Sequence, residues 1–147
     1  MPTSEARFRC GARADKVLAL LQDLTFLSSA VPGVEKVERV DDRTALWTVR
    51  MKVGPFQRVS VYRGEVLTAT SEEVEFRATG AEATVNGHIQ VQPAGSDASD
   101  VTVRIAADGS GSLKPIVDSV LAKRLPNDVA DFAKRVNAAF LGASSGS

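Results

Sequence analysis

The last third of the chain restricts the fold most. From Leu113 to Leu141 apolar residues recur every three or four positions, the spacing that lines one side of a helix, so a long helix with one apolar face is predicted there. Such a helix needs a broad apolar surface to cover it. Leu113, Ile116, Val117, Val120 and Leu121 make the stripe of its first half, with Asp118, Lys123 and Arg124 off the stripe. Val129, Phe132, Ala133, Val136 and Phe140 make a second stripe, which at about 100 degrees per residue is rotated away from the first. Pro126 stands at the junction, where a lost backbone donor and a crowded carbonyl predict a kink that re-aims the second half onto the same core. Pro115 lies near the start, where a missing N–H costs nothing.

The preceding residues read as the surface that this helix covers. Glu5 to Cys10 alternates, with Ala6, Phe8 and Cys10 on one side, and reads as a strand. Ala14 to Leu24 carries Val17, Leu18, Leu20, Leu21 and Leu24 on one helical face, and a second short helix through Phe26 and Leu27 ends by Pro32-Gly33. From Val34 to Gly109 the period becomes two, with turn signals between the runs, as in an antiparallel meander. The strands expected are Val34 to Asp41, Thr44 to Val53, Phe56 to Thr68, Glu73 to Thr79, Ala83 to Val91 and a last one through Val101, Val103, Ile105 and Ala107. Gly109 to Ser112 is a flexible joint into the long helix. The order strand, two helices, six strands, long helix implies an α+β layer structure, a seven-stranded curved antiparallel sheet wrapped around the C-terminal helix. One domain over residues 1–147 is expected, with 142–147 as a flexible tail.

Charge removes several classes of partner. Eighteen basic residues balance eighteen acidic ones, so no pull toward nucleic acid or anionic membrane is expected. Residues Met1 to Glu5 have no basic segment leading into an apolar run, and nowhere do about 18 apolar residues follow one another. A cytoplasmic protein without a membrane anchor is expected. Cys10 has no second thiol with which to form a disulfide, and it reads as a small core residue.

The meander's inner face carries an unusual number of small residues. Gly64, Gly87, Ala45, Ala78, Ala83 and Ala107 together cannot fill the space between a curved sheet and a helix at normal interior density. Either the helix approaches very closely or a hole remains, and Trp47, Met51, Tyr62, Phe76 and Ile89 would make that hole apolar, with the Tyr62 hydroxyl, the Trp47 N–H and Ser60 as polar points. The expected ligand-facing set is Trp47, Met51, Arg58, Tyr62, Phe76, Val85, Ile89 and Val103 from the sheet, with Ile116 and Val120 from the helix. Arg58 would hold a carboxylate or quinone oxygen if it shares the side of Ser60 and Tyr62, whereas a bulge after Gly54-Pro55 would turn it to solvent.

Catalytic and metal signatures are sparse. His88 is the only histidine and falls on the face opposite Val85, Gly87 and Ile89, so no multi-histidine metal site is expected. Gly109-Ser-Gly-Ser lacks the spacing and lysine of a phosphate loop, and Asp41-Asp42 and Glu72-Glu73 sit at turns, as solvated charges do. No cofactor is expected from these residues.

Three runs carry a family resemblance: Val31-Pro32-Gly33-Val34-Glu35-Lys36-Val37, Val49 to Phe56 with its Val53-Gly54-Pro55 turn, and Tyr62-Arg63-Gly64-Glu65-Val66. With Ala78-Thr79-Gly80-Ala81 and the closing helix, the chain resembles the carbon monoxide dehydrogenase G-subunit family, within the START-like, polyketide-cyclase-like superfamily of helix-grip folds. That resemblance implies a non-catalytic accessory protein that binds a lipid-like or quinone-like molecule and associates with molybdenum hydroxylase-type enzyme subunits. It leaves two alternatives, a polyketide-cyclase-like enzyme acting on a hydrophobic substrate and a partner-specific chaperone that binds no ligand. Some family members continue into a membrane-associating segment, whereas Leu141 to Ser147 here is too short and polar to anchor, so membrane attachment is not expected.

Overall fold

The computed structural model describes residues 2–31, 33–53 and 55–145, without the side chains of 51–53, 56 and 141–145. Its elements run β1 (Thr3–Cys10), α1 (Ala14–Gln22), α2 (Leu24–Ala30), β2 (Val34–Arg39), β3 (Thr44–Val53), β4 (Phe56–Ala69), β5 (Glu73–Thr79), β6 (Ala83–Pro93), β7 (Ser99–Gly109) and α3 (Lys114–Ser145). The seven strands form one antiparallel sheet in the order β1-β7-β6-β5-β4-β3-β2. Strands β2 to β7 are a meander, and β1 returns beside the last of them. The chain must therefore cross the whole sheet between β1 and β2, and α1 and α2 are that crossing.

Both helices pack on the inner face as they cross, α1 against β5 and β6 and α2 against β2 and β3. A cap separates them. The Asp23 carboxylate accepts the N–H groups of Thr25 and Phe26 at 3.0 and 3.3 Å, so α1 stops at Gln22 and Leu24 opens α2. The hydrophobic period alone carries α1 through Leu24, because Leu24 is buried and fits the apolar face of either helix.

The long helix follows one buried line. Val117, Leu121, Leu125, Val129, Phe132 and Val136 are all buried, and Pro126 stands exposed within a continuous helix. Leu125 joins what read as two separate stripes. Each four-residue step drifts about 40 degrees around a helix, so this line winds, as it must to stay against a twisted sheet. Ile116 falls off the line and is 49% exposed, and Val120 is half-buried. The start of α3 is fastened to the end of β7: Gly109 N–H donates to Asp118 Oδ1 at 2.6 Å, and Lys114 Nζ reaches Asp108 and Asp118 at 2.7 and 3.1 Å. Gly111, at φ 77°, makes the left-handed turn that this close joint needs. Among the described residues no helix is long and apolar enough to cross a membrane.

Candidate ligand site between sheet and helix

A cavity of about 100 Å³ lies between the inner face and α3. Its sheet wall includes Trp47, Val49, Tyr62, Phe76, Ala78, Val85, Ile105 and Ala107, and its helix wall Leu121, Leu125, Val129 and Phe132. Val31, Arg50, Arg124 and Asp128 complete the lining, and all four have solvent exposure. The cavity opens on that side, between the end of α2, β3 and α3. Burial raises the Asp128 carboxyl above its ordinary pKa, against the lowering influence of Arg124, whose guanidinium is 3.9 Å away.

The space is smaller than the small residues suggested, and the reason is geometric. Three aromatic rings occupy the space above three glycines. A methyl group placed on Gly64 would stand 2.5 Å from the Trp47 ring, one on Gly80 2.6 Å from Tyr62, and one on Gly87 2.1 Å from Phe76. Phe76 faces Gly87 directly across the β5–β6 ladder, while Trp47 leans diagonally toward the Ala45–Gly64 pair. Gly64 and Gly87 are seats for rings, and the residual cavity lies beyond them, over Ala78 and Ala107. Trp47 and Phe76 themselves meet at 6.4 Å with their planes tilted by 58°.

The polar points of this wall are already engaged. Trp47 Nε1 donates to Ser28 Oγ at 2.8 Å, with both residues buried. Ser60 Oγ donates to Glu82 Oε1 at 2.7 Å, Tyr62 donates to Glu82 Oε2 at 3.4 Å, and Arg58 Nε stands 3.7 Å from Glu82 Oε1. Glu82 is 8% exposed and sits in the β5–β6 turn, where its backbone carbonyl also accepts from Ser110 N–H ahead of α3. Burial, reinforced by the charge and hydrogen bond of Glu82, pushes the Tyr62 phenol up to about 12.

A test of the Tyr62–Glu82 arrangement follows from that shift. Between the unfolded phenol's pKa near 10 and about 12, the unfolded chain has lost the proton that the folded chain retains. Stability is therefore full below that window and falls as pH rises through it, by up to about 1.4 kcal/mol per pH unit. Tyr62 is the only tyrosine, so the ultraviolet phenolate band reads it alone. The folded protein should develop that band near pH 12, and appearance near pH 10 in folded protein would refute the arrangement.

Of the residues singled out from the sequence, Trp47, Tyr62, Phe76 and Val85 meet at the cavity. Ile89 and Val103 are fully buried but belong to the packed core outside its lining, and Ile116 and Val120 also lie outside it. Arg58 shares the side of Ser60 and Tyr62, yet its guanidinium ends at Glu82 and the side chain is half exposed. The Met51 side chain lies outside the described residues. Sequence reasoning misses Ser28 and Glu82. The only available signals are a serine within the apolar run of α2 and an acid between Ala81 and Ala83 in a turn. Cys10 is buried, and desolvation raises its thiol, which keeps it unreactive.

Comparison with known proteins agrees with this architecture. Residues 7–140 match the model of the carbon monoxide dehydrogenase G-subunit family, CoxG. No curated protein matches the chain. Among solved structures, a conserved protein from Geobacillus kaustophilus superposes with a TM-score of 0.79 at 14% identity, covering 96% of each chain. A START superfamily protein from Mycobacterium smegmatis gives 0.68 at 13% identity, covering 96% of this chain and 98% of that one. The Zhui aromatase/cyclase from Streptomyces gives 0.59 at 13% identity, covering 91% and 92%. At these identities the likeness is one of fold, the helix-grip arrangement of sheet and closing helix.

Proposed function

The chain belongs to the carbon monoxide dehydrogenase G-subunit (CoxG) family, and we propose that it acts as a non-catalytic binding module for a lipid-like or quinone-like molecule. In this reading the molecule sits between sheet and α3, and the module serves a molybdenum-containing carbon monoxide dehydrogenase-type complex. The observation that carries the reading is the aromatic and aliphatic cavity with charged groups only at its opening. Apolar walls take up a ring or chain, and Arg124 at the mouth suits a carbonyl or carboxylate oxygen.

Size adds a requirement. Pockets for drug-sized ligands run to roughly 300–1,000 Å³, so a cavity of about 100 Å³ must widen to enclose a whole quinone. The seam that would yield lies on the side away from β1 and β7, the strands on which α3 is chiefly anchored. Binding should then be slower than diffusion, because the helix must lift before the ligand enters.

Trp47 is the only tryptophan and lies in the cavity wall, so its fluorescence reports occupancy. Titration with a menaquinone analogue, and separately with a fatty acid, should give saturable quenching at micromolar ligand. An Ala107→Leu variant that melts like the parent should lose it, because the larger side chain occupies the cavity. Ligand at a hundred times its dissociation constant should also add about 2.7 kcal/mol to stability. An unchanged signal and an unchanged melting temperature with both ligands would sink the reading in favour of a ligand-free partner chaperone.

A further inference from the structure

We propose that the outer face of the sheet carries a divalent-cation site formed by Glu73, Glu75 and His88, on the side opposite the cavity. Glu75 faces His88 directly in the β5–β6 ladder, and Glu73 stands two residues along β5 on the same face. One donor atom from each lies within 4.8 Å of the others. His88 Nε2 is 2.6 Å from Glu73 Oε2 and 3.8 Å from Glu75 Oε1. Donors about 2.0–2.2 Å from an ion stand roughly 3–3.5 Å apart, so small rotations of the carboxylates complete the arrangement while the ladder holds the backbone. All three residues are half-buried, which limits the rotamer freedom lost on binding.

The charges balance in the bound form. Two carboxylates and a neutral imidazole match a divalent ion, with the ring proton on Nδ1 and the Nε2 lone pair toward the metal. Without the ion, His88 Nε2 lies 2.6 Å from the Glu73 carboxylate. An imidazole with carboxylates favours zinc and its neighbours over calcium or magnesium, which prefer oxygen-only shells. Beside the cluster, on the same face, lies a separate depression of about 310 Å³ that Glu75 and His88 share with Leu67, Asn86 and Arg104. It leaves room at an open coordination position. Arg104 lies opposite His88 in the ladder and has no carboxylate partner among the described residues. Its guanidinium would receive an anion bound to the metal there.

The test uses the full chain without an affinity tag, stripped with a chelator and titrated with zinc by calorimetry. Because His88 is the only histidine, its imidazole proton signals report on this site alone. One ion per chain is expected, with a shift of those signals and affinity weakened about tenfold or more in His88→Gln. Glu75→Gln should behave alike, and it serves as the second variant if His88→Gln melts early. No saturable uptake, uptake that leaves the His88 signals unmoved, or equal affinity in folded variants would overturn the proposal.

Discussion

Gly87→Ala should lower the stability of this protein by about 2 kcal/mol, although the substitution adds one methyl group to a strand where alanine is intrinsically favoured. The added carbon would stand 2.1 Å from the edge of the Phe76 ring, a distance at which the ring must move. Phe76 is 2% exposed and tilted against Trp47, so the free space within reach is the cavity itself. Overpacking of this kind costs typically 1–3 kcal/mol, and relief of glycine's extra chain entropy returns a fraction of it. Urea denaturation measures the loss. The diagnostic is the double variant with Phe76→Leu, which should cost less than the sum of its parts because the smaller side chain vacates the overlap. Strict additivity would mean that the ring is not seated on Gly87. The displaced ring should also close the cavity, so quenching of Trp47 by a menaquinone analogue should weaken in Gly87→Ala.

Phe132→Ala should cost more, about 3–5 kcal/mol. Phe132 is among the largest fully buried side chains, and it forms the helix wall of the cavity opposite the sheet aromatics. Its removal loses the transfer free energy of the ring and leaves a void beside one already present, so the surroundings have little to collapse onto. The loss of stability and the gain of space occur together. A menaquinone analogue should therefore raise the melting temperature of Phe132→Ala more than that of the parent, because the enlarged space accepts ligand without lifting α3. Equal shifts would show that the ligand does not reach Phe132. A stability loss under about 1 kcal/mol would show that the wall repacks.

Most of the architecture is legible because two periods differ so clearly. Alternation from Val34 to Gly109 and the three-to-four spacing after Leu113 specify the order of elements, and the order leaves few ways to cover one sheet with one long helix. The errors sit where local signals compete. Leu24 fits both α1 and α2, and the Asp23 side chain makes the choice, through capping bonds whose geometry hydrophobic spacing does not record. Leu125 belongs to neither stripe when each half of α3 is read separately, whereas the buried line runs from Leu121 through Leu125 to Val129 and leaves Pro126 on the exposed side.

The site is only half legible. Alternation determines that Trp47, Tyr62, Phe76 and Val85 point inward, since a strand's side chains must alternate. It also places small residues on the same face. Whether those small residues leave a hole or seat a ring is decided by register, which brings Phe76 against Gly87 and Trp47 toward Gly64, and register is a relation between strands. The same holds for Glu82 beneath Tyr62, for Ser28 against Trp47 and for Glu73 and Glu75 around His88. Local periods dictate which face each strand residue takes and that a long helix closes the sheet. Which residues meet depends on packing across the layers, which sets contacts between positions far apart in the chain and leaves no local period behind.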